Sequence, residues 1–406
     1  MKEYGDDMLT EKFLKATPIL ETIQAHQHEA YFVGGCVRDL LLDRPVKDID
    51  IATSATPDVI QTIFPTVIPV GIEHGTVIVR HDHESYEVTT FRTEGDYSDG
   101  RHPDHVEFIR NIEEDLQRRD FTMNALAMDK EGNIIDLFGG RKDLERKIIR
   151  TVGEGKERFG EDALRIIRAL RFSSQLGFRI EESTYEAMIA CKSAVLDISI
   201  ERITKEMEQF FAGDHITIGM KYFLDTKIYE VLPVFKDEPD LIEKLPNKLL
   251  PLSEFAEVIA LFHYLFPEIT ISRWVTGWKC SNRTKRLAIE LVEALHHFAT
   301  NGLDEIGIYH IAEEHFASFI RLTQLLFNSK ITVGEMKKRK EKLPIQSRND
   351  LAIDGHDLLN LFPERKGGPW VKRLLDQTEE AVILGEVAND YEKIKEWLKW
   401  TQHETD

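Results

Sequence analysis

Cysteine is scarce in this chain of 406 residues. Cys36, Cys191 and Cys280 are odd in number and widely separated, and they lack the paired spacing of a zinc site. The sequence therefore predicts neither a disulfide framework nor a structural zinc site. Because unpaired thiols are typical of a reducing compartment, we expect the protein to be cytoplasmic.

Long apolar runs are also missing. No window approaches the roughly 20 consecutive apolar residues that a membrane-spanning helix needs. The first residues, moreover, do not combine a basic segment with an apolar one as a secretory signal does. We therefore expect no membrane partner.

Basic side chains are outnumbered, with 52 Lys and Arg against 71 Asp and Glu, which gives a net charge of −19. Such a chain does not bind polyanions indiscriminately, and we expect no DNA partner. Any RNA must meet a local basic patch. The stretch 330–373 offers one, because it carries 11 Lys or Arg against 6 acids. Its centre, Lys337, Lys338, Arg339 and Lys340, is either a phosphate-binding surface or an ordinary solvated helix face.

One stretch near the start of the chain combines two kinds of ligand site. A β-rich run over 31–33 ends in Gly34-Gly35, and helical spacing follows, so the glycines are predicted at a strand-to-helix turn that offers amides to an anion. Further on, Asp48 and Asp50 flank Ile49 and would share one face of a strand, where paired carboxylates suit hard cations. Each feature alone is commonplace. Together they indicate a metal-held nucleoside triphosphate and phosphoryl or nucleotidyl transfer.

Two later segments extend this hypothesis. Runs over 75–80 and 85–92 predict a hairpin whose second strand carries Glu87, which is either a third carboxylate or an exposed glutamate. A helix is predicted over 156–177, where Asp162, Arg165 and Arg168 recur every three residues and would lie on one side. An acceptor beside donors can read the edge of cytosine or adenine, although a salt-bridged surface is the plainer interpretation.

The motifs together resemble those of the class II tRNA nucleotidyltransferase and poly(A) polymerase family, of the polymerase-β-like superfamily. The matching residues are Gly34-Gly35, Arg38-Asp39, Asp48-x-Asp50, Arg118-Arg119-Asp120-Phe121-Thr122-x-Asn124-Ala125 and Glu161-Asp162-x-x-Arg165-x-x-Arg168. The sequence departs from the family pattern at Asp43, where glycine is usual, and at His102, where a second arginine is usual. The resemblance extends over nearly the whole chain.

The resemblance implies an α+β fold: a polymerase-β-like head with a small mixed β-sheet, then an all-α neck, body and tail. We accordingly predict a head over 1–148, a neck with the nucleotide-selecting helix over 149–211, a body over 212–300 and a tRNA-binding tail over 301–406. A length of 406 residues agrees with more than one domain. The polar segment 93–103 would be the family's flexible loop.

The resemblance also implies a reaction, the template-independent addition of C, C and A to the 3′ end of tRNA from CTP and ATP. In this family, the residues matching Asp48 and Asp50 hold two Mg²⁺ and a residue matching Glu87 completes a carboxylate triad. Residues matching Gly35, Arg38 and Arg119 hold the triphosphate. Selection of CTP and ATP falls to the four positions that match Asp162, Arg165, Arg168 and Arg171. An A-adding enzyme, a poly(A) polymerase and an inactive RNA-binding scaffold remain alternatives.

Overall fold

The computed structural model describes residues 10–94, 106–242, 245–246 and 249–403. Most of the loop predicted over 93–103, including His102, lies outside the described residues. Internal contacts divide the chain into two compact units, Met1–Ile242 and Glu243–Asp406. That division coincides with none of the three expected domain boundaries, and the four-part scheme stays a prediction.

Strands occur in the first unit. Those in the described residues are β1 (Ala30–Val33), β2 (Asp50–Thr53), β3 (Val67–Ile68), β4 (Thr76–His81), β5 (Glu84–Thr90), β6 (Arg92–Glu94), β7 (Val106–Phe108), β8 (Leu126–Met128), β9 (Ile134–Asp136), β10 (Ile148–Ile149) and β11 (Arg179–Ile180).

Helices dominate from residue 155 onward. Those of the first unit are α1 (Glu11–Ala25), α2 (Gly35–Leu41), α3 (Pro57–Ile63), α4 (Ile112–Gln117), α5 (Gly140–Arg146), α6 (Gly155–Glu161), α7 (Leu164–Leu176), α8 (Glu182–Cys191), α9 (Ile200–Phe211) and α10 (Ile216–Asp225). Those of the second unit are α11 (Phe255–Leu265), α12 (Ile271–Gly277), α13 (Asn282–Asn301), α14 (Glu305–His310), α15 (Phe316–Phe327), α16 (Val333–Lys340), α17 (Gly355–Leu361), α18 (Pro369–Ile383) and α19 (Tyr391–His403).

Seven strands form one mixed sheet in the order β3-β4-β5-β2-β1-β8-β9. Strands β2 and β5 run parallel, and the other neighbours run antiparallel. The predicted hairpin is confirmed as β4 and β5, joined at Asp82 and His83, which both have positive φ angles. A small mixed sheet followed by helices confirms the α+β class, although the short parallel pair β10–β11 reaches into the region predicted to be all helical.

The turn after β1 has the predicted strand-to-helix form. Gly34 adopts φ 70° and ψ −125°, a conformation that residues with a side chain rarely take, and α2 begins at Gly35. At the other end of α2, Asp43 has φ 52° where the family usually places glycine. This aspartate therefore accepts the left-handed conformation that closes the helix.

Close helix packing fixes the position of α7. A Cβ atom on Gly213 would lie 2.1 Å from Ser174 Oγ, and one on Gly219 would lie 2.7 Å from Ser174 Cβ. The Ser174 hydroxyl also donates a hydrogen bond of 2.6 Å to the carbonyl of Phe210 on α9. Because α7 is held this tightly by its neighbours, its side chains have defined positions at the cavity described next.

Candidate active site

A cavity of about 470 Å³ lies in the first unit, between the sheet and α7. Arginine is the commonest residue in its wall. The lining residues are Gly34, Gly35, Arg38, Asp50, Arg118, Arg119, Asp120, Asn124, Asp162, Leu164, Arg165, Arg168, Arg171, Phe172 and Arg202. Seven arginines against three aspartates make this cavity suited to a polyanion.

The glycine turn and two arginines form one wall of the cavity. Arg38 donates from Nε to Asp39 at 2.9 Å and from Nη1 to the amide oxygen of Asn124 at 2.8 Å. Arg119 is paired at 3.1 Å with Asp115, which is almost fully buried. The Nε atom of Arg119 is buried and has no hydrogen-bond partner among the residues that the structure describes. An unsatisfied buried donor costs free energy, so this atom favours an anionic ligand in the cavity.

Carboxylates meet on one face of the sheet, on the neighbouring strands β2 and β5, beside this wall. The Cα atoms of Asp50 and Glu87 are partners in the parallel pairing of β2 and β5, so their side chains share one face. Asp48 was expected on the same strand, but β2 begins at Asp50 and Asp48 precedes it, exposed. Burial, followed by the negative charges of Glu87 and then Asp48, raises the pKa of Asp50 to about 6, against a partly opposing effect of Arg119.

These oxygen ligands fit a hard divalent cation. Within the part of the chain that the structure describes, no three His, Cys, Asp or Glu side chains are gathered closely enough to hold a metal without further ligands. Mg²⁺ does not require such a cluster, since it is commonly bound by one or two carboxylates together with substrate phosphates and water. A cation would offset both the burial that raises the pKa of Asp50 and the repulsion from Glu87 that adds to it.

The predicted continuous helix over 156–177 is wrong at its centre. α6 ends at Glu161 and α7 starts at Leu164, so Asp162 lies in the break with φ −144° and does not share a helix face with Arg165. Its Oδ1 atom accepts a hydrogen bond from the Leu164 amide at 3.0 Å, and its Oδ2 atom is paired with Arg202 at 2.8 Å. The break arises because Asp162 caps α7 and pairs with a residue forty positions away.

Arg165 is nearly buried and uses its donors within the protein. Its Nη1 atom lies 2.7 Å from Glu161, and its Nη2 atom donates to the carbonyl of Arg118 at 2.9 Å. Both Asp162 and Arg165 line the cavity, but each has other partners and they are not paired with one another through their side chains. Their expected role in reading a base is a proposal.

Two carboxylates outside the predicted set hold the next arginines. Arg168 is paired at 2.7 Å with Asp120, and Arg171 Nε lies 2.6 Å from Glu206. Burial alone would raise the pKa of Asp120, but Arg168, together with Asn124 and Arg165, lowers this pKa to about 2. In turn, Asp120 and Glu206 raise the pKa of Arg168 against the effect of burial. The cavity charges are therefore fixed in both sign and place.

The lining residues outside the predicted set include Asn124, Phe172 and Arg202. Asn124 bridges Arg38 and Asp120 with its amide, Phe172 contributes a nearly buried ring, and Arg202 holds Asp162. Asn124 was within reach of sequence reasoning, because it belongs to the same motif as Arg119. The contribution of Arg202 depends on a contact between α9 and the start of α7, which periodicity does not reveal.

The predicted RNA-binding run lies on α16 of the second unit and divides into two pairs. Lys337 and Lys338 are exposed. Arg339 instead pairs with Glu305 at 2.9 Å, and Lys340 donates to the carbonyl of Ile311 at 2.5 Å. Two of the four cations are thus engaged in the fold, while the other two face solvent.

Comparisons with known proteins find relatives along most of the chain. Residues 30–150 match the sequence model described as the poly A polymerase head domain, 177–238 that of an RNA- and SrmB-binding site of polymerase A, and 250–398 that of tRNA nucleotidyltransferase domain 2. The CCA-adding enzyme of Oceanobacillus iheyensis is 48% identical over 396 residues, which cover 97% of this chain and 99% of that protein. That of Anoxybacillus flavithermus is 43% identical over 403 residues, covering 97% and 98%.

A solved structure resembles the whole chain. The crystal structure of the Bacillus stearothermophilus CCA-adding enzyme in complex with CTP has a TM-score of 0.86 and 37% sequence identity, and the match covers 98% of this chain and 99% of that one. No helix among the described residues is both long and apolar enough to span a membrane.

Proposed function

The chain belongs to the family of CCA-adding enzymes, and on that premise we propose that it adds C, C and A to the 3′ end of tRNA from CTP and ATP, releasing pyrophosphate. The observation that carries the proposal is the meeting of seven arginines with the Asp50 carboxylate in one cavity. The arginines suit a polyphosphate, and nucleotidyl transfer to a hydroxyl requires a carboxylate such as that of Asp50.

Gly35, Arg38 and Arg119 bind the triphosphate. The Gly34–Gly35 turn brings the backbone to the cavity wall without a side chain, and the planar guanidinium groups of the two arginines can meet phosphate oxygens in a bidentate manner. Asp115 and Asn124 hold these guanidinium groups in place before the nucleotide enters. Such preorganisation reduces the ordering cost of binding.

Asp48 and Asp50 hold Mg²⁺, with Glu87 beside them. When bound, the metal lowers the pKa of the attacking tRNA hydroxyl and neutralises charge on the leaving pyrophosphate. The protein contributes the placement of the Asp50 and Glu87 carboxylates on one face of the sheet, with Asp50 near Arg119, so that the hydroxyl and the triphosphate meet there. Glu87 is positioned to share the metal or to orient the hydroxyl.

Asp162 and Arg165 select the base, with Arg168 and Arg171 behind them. The carboxylate of Asp162 has two partners for its four lone-pair sites, which leaves capacity for the exocyclic amine of cytosine or adenine. Uracil and guanine present a carbonyl oxygen at that position and would be repelled. One set of protein side chains thus admits C and A without a nucleic-acid template.

tRNA is the acceptor, and the exposed Lys337 and Lys338 of α16 contact its phosphates. Recognition through phosphates and helix shape suits an enzyme that must accept tRNAs of many sequences. We place this activity in the cytoplasm, where tRNA and both nucleotides are present.

Gel-resolved extension of tRNA transcripts tests this proposal. Transcripts that end before CCA, after C and after CC are incubated with Mg²⁺ and with CTP, ATP or both. The proposal predicts addition of C, C and A followed by arrest. Addition of A alone to the CC-ended transcript would indicate an A-adding enzyme, a long ladder of A a poly(A) polymerase, and no extension an inactive RNA-binding scaffold.

A further inference from the structure

The ring of Phe172 lies among three guanidinium groups that all line the cavity. Its centroid is 4.1 Å from Cζ of Arg171, 5.1 Å from that of Arg38 and 5.5 Å from that of Arg168. The Phe172 side chain is 3% exposed, and its ring also packs edge-on against Phe121, with the centroids 5.8 Å apart. One aromatic ring therefore borders three cations from two separate elements, α2 and α7.

This convergence of like charges is unfavourable by itself. Burial, and after it the positive charge of Arg168, lowers the pKa of Arg171 to about 10, with a smaller effect of Arg38 in the same direction. Asp120 and Glu206 pair with Arg168 and Arg171, yet the pKa of Arg171 remains lowered by burial and by its arginine neighbours. Arg38 reaches the cluster from α2 and is tied to Asn124 and Asp39.

An aromatic ring can relieve such repulsion further without adding a negative charge. Its face carries a negative quadrupole that attracts cations, and the attraction grows when water is excluded. A ring adds no net charge, so the cavity keeps the positive potential that a polyphosphate needs. It is also rigid, with two rotatable bonds, and fixes the guanidinium groups relative to one another.

We propose that Phe172 is a positioning residue for nucleotide binding, whose ring keeps the guanidinium groups of Arg38, Arg168 and Arg171 converged on the cavity before the nucleotide enters. The inference rests on the proposed function in so far as CTP and ATP are the ligands of this cavity. In this proposal, the Phe172 ring couples the position of Arg38, on the triphosphate side, to the positions of the two arginines of α7.

The test compares Phe172→Leu with Phe121→Leu. Both changes remove a buried ring from the same aromatic pair, but only the first removes the ring that faces the cations. Calorimetric titration with CTP and with ATP should show both nucleotides binding Phe172→Leu about tenfold more weakly than wild type. Phe121→Leu should stay within about twofold. In C addition, Phe172→Leu should raise KM for CTP by a similar factor with a smaller effect on kcat.

A second variant covers a failure to fold. Phe172→Met fills a comparable volume with a flexible, unbranched side chain, and the same loss of affinity is expected. Wild-type affinity in a folded Phe172→Leu or Phe172→Met variant would overturn the inference, as would an equal loss in Phe121→Leu. These results are separable from the proposed function, because CTP binding is measured without tRNA and extension by the wild type is scored independently.

Discussion

Of the two adjacent glycines in the cavity wall, only Gly34 should be sensitive to replacement by alanine. Gly34 has φ 70° and ψ −125°, and a Cβ atom there would lie 2.8 Å from Nη1 of Arg119. Gly35 begins α2, and a Cβ atom there would meet only Nη2 of Arg38, at 3.8 Å. Gly34→Ala should therefore cause both backbone strain and a collision, whereas Gly35→Ala has room.

The expected magnitudes follow from this geometry. The backbone conformation at Gly34 should cost about 1–3 kcal/mol in Gly34→Ala. A loss of about 2 kcal/mol in the free energy of unfolding should lower the melting temperature of a unit of this size by roughly 4–8 °C. Gly35→Ala should stay within about 0.5 kcal/mol of wild type, since a helix start tolerates alanine.

The nucleotide site should report the collision separately. The added methyl group pushes Arg119 away from its 3.1 Å contact with Asp115, so we expect CTP to bind Gly34→Ala about tenfold more weakly. Differential scanning calorimetry measures the change in melting temperature, and calorimetric titration with CTP measures the change in nucleotide affinity. Equal melting temperatures and equal CTP affinities for Gly34→Ala and wild type would refute the reasoning.

Three further predictions concern charges inside and outside the cavity. Asp120→Asn should destabilise the protein by about 3 kcal/mol at pH 7, because it removes the carboxylate nearest to Arg168, at 2.7 Å, and leaves this arginine with Glu206 at 3.6 Å. In the wild type the pKa of Asp120 is lowered to about 2, so its stabilising effect is complete above the unfolded pKa of 3.8 and is lost as pH falls. Urea unfolding measures the free energy of unfolding of both proteins, and the difference between wild type and variant should shrink by about 2 kcal/mol from pH 5 to pH 2. A difference that stays constant over this pH range would contradict the prediction. Replacing Lys337 and Lys338 together by alanine should leave unfolding unchanged but weaken tRNA binding and reduce its salt slope by about 2, which filter binding at several salt concentrations would measure. Lys340→Met should instead lower stability by about 1–2 kcal/mol with little change in the salt slope of tRNA binding, because the Lys340 ammonium group donates to backbone carbonyls. Identical behaviour of the double alanine variant and Lys340→Met would contradict both expectations.

Local structural elements could be predicted from the sequence. A glycine pair after a β-rich run predicted the strand-to-helix turn, since few residues other than glycine adopt the angles of Gly34. The hairpin that carries Glu87 followed from alternating residues on either side of a polar tip. The pairing of Glu87 with Asp50 came from the family resemblance, because a parallel contact between distant strands has no local signature.

Long-range pairs account for what the sequence did not reveal. Periodicity over 156–177 predicted one helix, yet the pairing of Asp162 with Arg202 and its cap on Leu164 break it. In the same way, the charge run at α16 gave no sign that Arg339 and Lys340 bind partners on neighbouring elements. A charged side chain in a sequence indicates what it can bind, while the fold decides what it does bind.

The central claim is that this cavity joins nucleotide binding to carboxylate-dependent transfer, and Asp50→Asn tests it most directly. The variant is compared with wild type and with Asp58→Asn, a control at an exposed aspartate on α3. Titration with CTP and single-turnover C addition to a tRNA lacking CCA are measured on each protein. We predict that Asp50→Asn retains CTP binding but loses C addition by about a thousandfold or more, while Asp58→Asn behaves as wild type. C addition by Asp50→Asn at the wild-type rate would contradict the assignment of this cavity as the active site.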